Sequence, residues 1–337
     1  MMSAVSAHES QSVRGAPSVS VVVPAYNASV YIGAALDSVF AQTYTDYEVI
    51  VVNDGSPDTE ELEKVLAPYR QRIAYVKQEN RGPSGARNTA IGMARGRYVA
   101  LLDSDDMWLP EYLEAQISRL EADPQLDLIY ADALLFGDSA LAGRTFMETA
   151  PSRGPVTFES LLRYEASIIT TCTVARRQSL IDAGLFDVQF IRCEDFDLWI
   201  RLAHRGGRIA YQRRVVARHR THGASLASDV IKMVESQIEV LKKARRGLPL
   251  SPAQRELVER QLLNCEAQIN LERGKNYFVA GDYGQAAQAL KRSNDFYQSR
   301  KLRLILWGLR AAPRVLNAAY RTRQNLSRRR ALPQHAE

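Results

Sequence analysis

From Val19 to Asp105 the chain alternates between two hydrophobic rhythms. The runs VSVVVPAY (Val19–Tyr26), YEVIVVND (Tyr47–Asp54), IAYVKQ (Ile73–Gln78) and YVALLDSD (Tyr98–Asp105) are mostly apolar, the first two rich in β-branched residues, with polar groups at or just beyond their ends. That pattern predicts strands buried on both faces, as in parallel sheets. Between them, apolar residues recur at helical spacing: Ile32, Leu36, Val39 and Phe40, then 59–69, then the alanine-rich SGARNTAIGMARG (Ser84–Gly96). Strand and helix at this cadence predict an α/β fold, a doubly wound and mostly parallel sheet with right-handed crossovers. After Pro110 the pattern predicts helices over 111–122 and Phe196–Ala203, with strands near 126–136, 167–175 and 208–217. From Asp229 onward it is helical throughout. The expected division is a polar, disordered leader over 1–17, an α/β domain over 18–228, and a helical extension over 229–337.

Within that extension, Tyr277–Ser293 reads as helix, tight turn at Gly281–Asp282, helix. Its spacing is that of half a tetratricopeptide repeat without a second copy, so it is expected to pack as a hairpin on the body. The net charge of +6 sits in the tail, where residues 291–330 carry twelve Lys or Arg against the single acid Asp295. Residues 300–330 interleave this charge with Leu302, Leu306, Leu309, Leu316 and Tyr320 on one helical face, and with Trp307. The pattern suits a helix lying in a membrane surface, or one packed on the body with a solvated basic end. No nucleic-acid module accompanies the charge, so nucleic acid is not an expected partner. Cys172, Cys193 and Cys265 are odd in number and scattered, which speaks against a disulfide framework or zinc site. No signal-like or membrane-spanning apolar run is present, so the expected location is cytoplasmic, peripheral on the inner face of the plasma membrane.

Ligands of open α/β sheets bind beyond the carboxyl ends of the strands. Those ends carry PAYN, NDGS, QENRG and DSDD, all polar. Asp54 can take a ligand's donor groups or close an Asx-turn on its own backbone, and Gly55 lets the chain turn closely. Arg87, in GPSGARN, offers a forked donor for phosphate close to a helix start. The acids Asp103, Asp105 and Asp106 repel one another and need compensation. One of them can cap a helix beginning near Leu109, with Pro110 in its first turn. Three exceed what a cap needs, and hard divalent cations prefer such carboxylates together with substrate phosphates. In CEDFDLWIRLAHRG, Glu194 and Asp195 stand at a helix start, where they complement the helix dipole.

The ordered set VSVVVPAYN, IVVNDGS, ENRGPSGARNTAI, LLDSDDMW, EDFDLWIRLAHRG and RTHGASLAS, spanning Val19–Ser228, resembles the inverting glycosyltransferases of family 2, which have the GT-A fold. The resemblance implies that Pro24, Ala25, Tyr26, Asp54 and Asn80 line the nucleotide pocket, with Arg87 near the diphosphate. It implies Asp103 on ribose or metal, Asp105 as the foremost ligand of Mg2+ or Mn2+, and His222 as a metal or phosphate ligand, with Arg220 also fitting the basic position. Asp195 is then the general base, and Glu194 binds the acceptor or orients Asp195. The implied reaction moves one sugar from a nucleotide-diphosphate sugar, a UDP-sugar in the favoured reading, to a hydroxyl of a carbohydrate or lipid-linked acceptor, in cell-surface polysaccharide or glycolipid synthesis. A processive synthase is disfavoured by the missing QxxRW motif and spanning helices. The alternative is a catalytically weak nucleotide-sugar-binding module that recruits partners through its helical tail.

Overall fold

The computed structural model describes residues 15–223, 229–318 and 320. Most of the expected leader, the segment 224–228 and the tail beyond Tyr320 lie outside the described residues. The apolar runs form β1 (Val19–Ala25), β2 (Tyr47–Asp54), β3 (Ala74–Gln78) and β4 (Tyr98–Leu101). These pair in parallel, β2 and β4 flanking β1 and β3 outside β2. Helices α1 (Ile32–Phe40), α2 (Thr59–Leu66) and α3 (Gly82–Met93) connect them. Side-chain alternation along a strand then explains the two cores: Val21, Val23, Val49 and Val51 face α1 and α2, while Val22, Ile50 and Val52 face α3.

The second half of the sheet comprises β5 (Met107–Trp108), β6 (Leu126–Gly137), β7 (Thr173–Arg176) and β8 (Arg208–Thr221), giving the order β3-β2-β1-β4-β7-β6-β8-β5. Strand β7 runs antiparallel to both β4 and β6, β6 and β8 are parallel, and β5 is antiparallel to β8. Helices α4 (Tyr112–Ala122), α5 (Phe146–Thr149), α6 (Phe158–Leu162), α7 (Arg177–Asp182) and α8 (Glu194–His204) fill the connections. Two differences from the sequence pattern matter here. The strand expected over 167–175 is a 3-10 turn, Thr170–Cys172, before a shorter β7. No helix starts near Leu109 either; Met107 and Trp108 pair with Arg218 and Ala217, and α4 begins at Tyr112 after a Glu111 that makes no side-chain cap.

Beyond the sheet lie α9 (Val230–Gly247), α10 (Pro252–Ala280), α11 (Tyr283–Tyr297) and α12 (Arg300–Ala311). Val240 and Leu241 of α9 and Val258, Leu262 and Cys265 of α10 belong to the same core as α3, α6 and α8. The hairpin turn is as expected: Gly281 is left-handed at φ +88° and Asp282 caps α11 through Gln285 N–H. Its second half builds a separate cluster, in which Phe278, Ala286 and Leu290 receive Leu302 and Leu309 of α12.

Candidate active site

The polar strand ends meet at one edge of the sheet. Asp54, 2% exposed, ends β2, and its Oδ1 accepts hydrogen bonds from Gln78 Nε2 at 2.6 Å and Arg81 N–H at 2.9 Å. It does not turn on its own backbone; Asn53 does that, accepting Ser56 N–H at 2.9 Å. A Cβ on Gly55, which sits at φ +64°, would lie 2.7 Å from Asn80 N, so glycine is what lets these two strand ends close together. Asn80 is exposed and its Oδ1 accepts Gly82 N–H. At the end of β1, Ala25 is fully buried, Pro24 half-buried, and Tyr26 stands out at 54% exposure. The structure thus brings the expected nucleotide-side residues to one rim.

The three aspartates after β4 have separate partners. Asp103 accepts from Arg87 Nη2 at 2.7 Å. Asp105 Oδ2 lies 3.1 Å from His222 Nε2, and its carbonyl accepts Arg220 Nε–H at 2.9 Å. Asp106 is fully buried and caps no helix. Its carboxylate takes Arg220 N–H at 2.7 Å and pairs with His219 Nδ1 at 2.9 Å, pinning the acidic loop to β8. Burial pushes the Asp106 carboxyl up to about 6 against the pull of His219. For His219, burial works against the charged ring, but Asp106 prevails and raises it to about 9. The two shifts oppose each other in sense: burial favours the neutral Asp106 carboxyl, while the Asp106 carboxylate favours the charged His219 ring.

Among the described residues, no group of three or more His, Cys, Asp or Glu side chains is arranged to hold a metal ion. Asp103 and Asp105, two positions apart in the chain, nevertheless keep partly exposed carboxylates, 29% and 30%. Mg2+ uses one or two carboxylates and fills the rest with water and substrate phosphate oxygens, so this pair fits a cation completed by a diphosphate rather than one caged by protein.

The second acidic pair stands at the start of α8, after Cys193 in the left-handed region at φ +60°. Glu194 is buried, and its Oε1 accepts Arg87 Nη1 at 2.6 Å. Arg87, in the second turn of α3, is 5% exposed, and its fork bridges Asp103 and Glu194. Burial lifts the Glu194 carboxyl to about 7, with Arg87 opposing. Asp195 turns the other way. Its Oδ2 accepts Thr170 Oγ1–H at 2.7 Å and its Oδ1 accepts Phe196 N–H at 2.7 Å. Thr170, on the 3-10 turn before β7, carries no signal in the hydrophobic pattern and was missed, as was the Asp106–His219 pair. His222 stacks on Tyr31 at 5.6 Å, and the Arg220 guanidinium lies over the Tyr31 ring at 4.7 Å, so Arg220 at the end of β8 and His222 just after it are held against the residue that precedes α1.

The chain is similar in sequence and in fold to known proteins. The Escherichia coli enzyme WfgD, a UDP-Glc:alpha-D-GlcNAc-diphosphoundecaprenol beta-1,3-glucosyltransferase, is 32% identical over 66% of this chain and 85% of its own. WfaP, of the same description and organism, is 28% identical over 66% of this chain and 85% of its own. Among solved structures, S. aureus TarS 1–349 in complex with UDP superposes with a TM-score of 0.59 at 22% identity, covering 90% of this chain and 91% of that one. The Pyrobaculum calidifontis mannosyltransferase PcManGT, in complex with GDP-Man and Mn2+, gives a TM-score of 0.59 at 21% identity, over 90% of this chain and 84% of that one. These likenesses establish a GT-A fold. The sequence profile of Glycosyl transferase family 2 matches residues 20–183, and with a relative this similar over most of its length the chain belongs to that family.

Proposed function

We propose that the chain transfers one sugar, with inversion, from a UDP-sugar to a hydroxyl of a lipid-linked saccharide acceptor. The UDP donor and the lipid-diphosphate acceptor follow the substrates of WfgD and WfaP. The observation that carries the reading is the orientation of Asp195. Thr170 and the Phe196 amide fix its carboxylate, while the Glu194–Arg87–Asp103 bridge ties its neighbour to the donor-side acid.

An acceptor hydroxyl is a poor nucleophile until its proton has somewhere to go. In the proposed reaction its oxygen attacks the anomeric carbon as Asp195 takes the proton, and the bond from that carbon to the diphosphate oxygen breaks on the opposite face. Asp103 and Asp105 would hold Mg2+ or Mn2+, which when bound neutralises charge on the departing diphosphate. Arg87 and the buried Asp106–His219 pair keep those two acids in place without using them up. Asp195→Asn keeps the shape and the hydrogen bond from Thr170 but removes the base. Turnover should fall by about 10²–10⁴, with UDP-sugar affinity, read by calorimetry, unchanged. A variant that still turns over at the parent rate excludes Asp195 as the base.

A further inference from the structure

Helix α12 has two apolar faces, and the body covers one of them. Leu302 and Leu309, flanked by Ile305 and Leu306, pack into the hairpin cluster with Phe278 and Leu290. The sequence pattern left that face to a membrane or to the body, and it is occupied by protein. At about 100° per residue, Leu304, Trp307 and Ala311 fall on the opposite side. Leu304 is 70% exposed and Trp307 71%. Around this strip stand exposed Arg300, Lys301, Arg303 and Arg310, and beyond Pro313 exposed Arg314 and Val315 continue it. No Asp or Glu occurs between Arg300 and Tyr320.

Water-facing protein surfaces intersperse both signs of charge and bear few exposed aromatics. A helix lying in a bilayer interface needs the opposite: apolar side chains entering the acyl boundary, an indole at headgroup level, and cations on anionic headgroups. We propose that the outer face of α12 docks on an anionic lipid membrane, with Leu304 and Trp307 entering the interface and Arg300, Lys301, Arg303 and Arg310 on the headgroups. A second copy of the chain is the weaker occupant, because a two-fold contact would set this cationic face against itself. The proposal uses no residue of the transferase site and stands apart from the reading of its chemistry.

Trp307 reports on the contact directly. The chain has three tryptophans, and Trp108 and Trp199 are 3% and 1% exposed. Titrating the full chain with phosphatidylglycerol vesicles should shift its emission to the blue, make it quenchable by brominated acyl chains, and carry the protein into the vesicle pellet. Phosphatidylcholine vesicles, or salt near ~1 M, should weaken binding at least about tenfold. The pair Leu304→Ser with Trp307→Ser should lose about tenfold or more in co-sedimentation, with an unchanged thermal unfolding curve. The pair Arg303→Gln with Arg310→Gln should do the same and leaves the apolar strip intact. Undiminished sedimentation of both pairs overturns the proposal, as does equal binding to neutral vesicles. So does an emission shift that follows protein concentration without lipid, which marks self-association instead.

Discussion

Arg87 joins two carboxylates of different origin in one fork, Asp103 from the end of β4 and Glu194 from the start of α8. Glu194 is the more buried of the two, and desolvation holds its carboxyl near 7, above the ordinary 4.5. The sign of the linkage follows. As pH rises from about 4.5 to 7, the unfolded chain releases this proton while the folded chain keeps it, so the group costs stability progressively across that window and no further above it. Glu194→Gln cannot titrate. Its stability relative to the parent should therefore climb between about pH 4.5 and 7, by something on the order of 1–3 kcal/mol, and then level off. Urea midpoints across that range measure it, and a flat difference would mean that Arg87 keeps Glu194 ionised throughout. This arrangement was not legible in the sequence. Arg87 and Glu194 are far apart in the chain, and an arginine near a glycine-rich helix start reads equally as a phosphate fork. Asp105 and Asp195 were legible as chemistry because carboxylates at a strand end and a helix start are conspicuous. Thr170 was not, since a hydroxyl in an irregular turn leaves no periodic mark.

At the level of elements, legibility followed length and burial. Strands β1, β2 and β4 announce themselves because both faces are covered over most of their length and their positions are mostly apolar. Strand β5 does not, because two residues hold it and only their pairing with β8 makes it a strand. The join between α8 and α9 is also a tertiary construction. Asp197, nearly fully buried, receives Arg201 at 2.7 Å and Lys243 of α9 at 2.8 Å, and Lys243 reaches Asp187 at 2.7 Å. Both acids thus share a lysine from a helix beyond the α/β portion. Lys243→Ala leaves Asp197 with Arg201 alone and Asp187 without this cation. A hydrogen bond to a charged group contributes about 1.5–3 kcal/mol, and Lys243 is partly exposed, so the loss should fall near the bottom of that range. Chemical denaturation reads it, and Lys243→Arg should recover part of it. A loss below a few tenths would show that α9 is held by its leucine and valine contacts and not by charge.

Across the whole molecule, the helical extension and the sheet share a core rather than a linker. The division expected at 228/229 falls next to a segment outside the described residues, and the helices after it turn back onto the sheet. Val240, Leu241, Val258, Leu262, Cys265 and Ile269 lie in one cluster with Val22, Ile50, Leu101 and Trp199. Trp199 and Leu198 belong to α8, the helix that presents Glu194 and Asp195. Ending the chain at residue 228 would therefore uncover the core-facing side of α8. Burial contributes roughly 25 cal/mol per Å² of apolar surface, and six buried side chains with their partners amount to more than the stability of an ordinary domain leaves to spare. A chain of residues 1–228 should accumulate in the insoluble fraction or bind a hydrophobic dye, while the full chain unfolds with coincident far-UV and tryptophan transitions. Two separated transitions in the full chain, or a soluble and cooperatively folded 1–228, would instead make α9 and α10 an appendage. The sharing of core has a functional side as well. Helix α12, whose outer face is proposed to meet a membrane, is connected through α11 and α10 to α8, the helix proposed to carry the base, so on those proposals position at the surface and geometry at the site would be set by one packed unit.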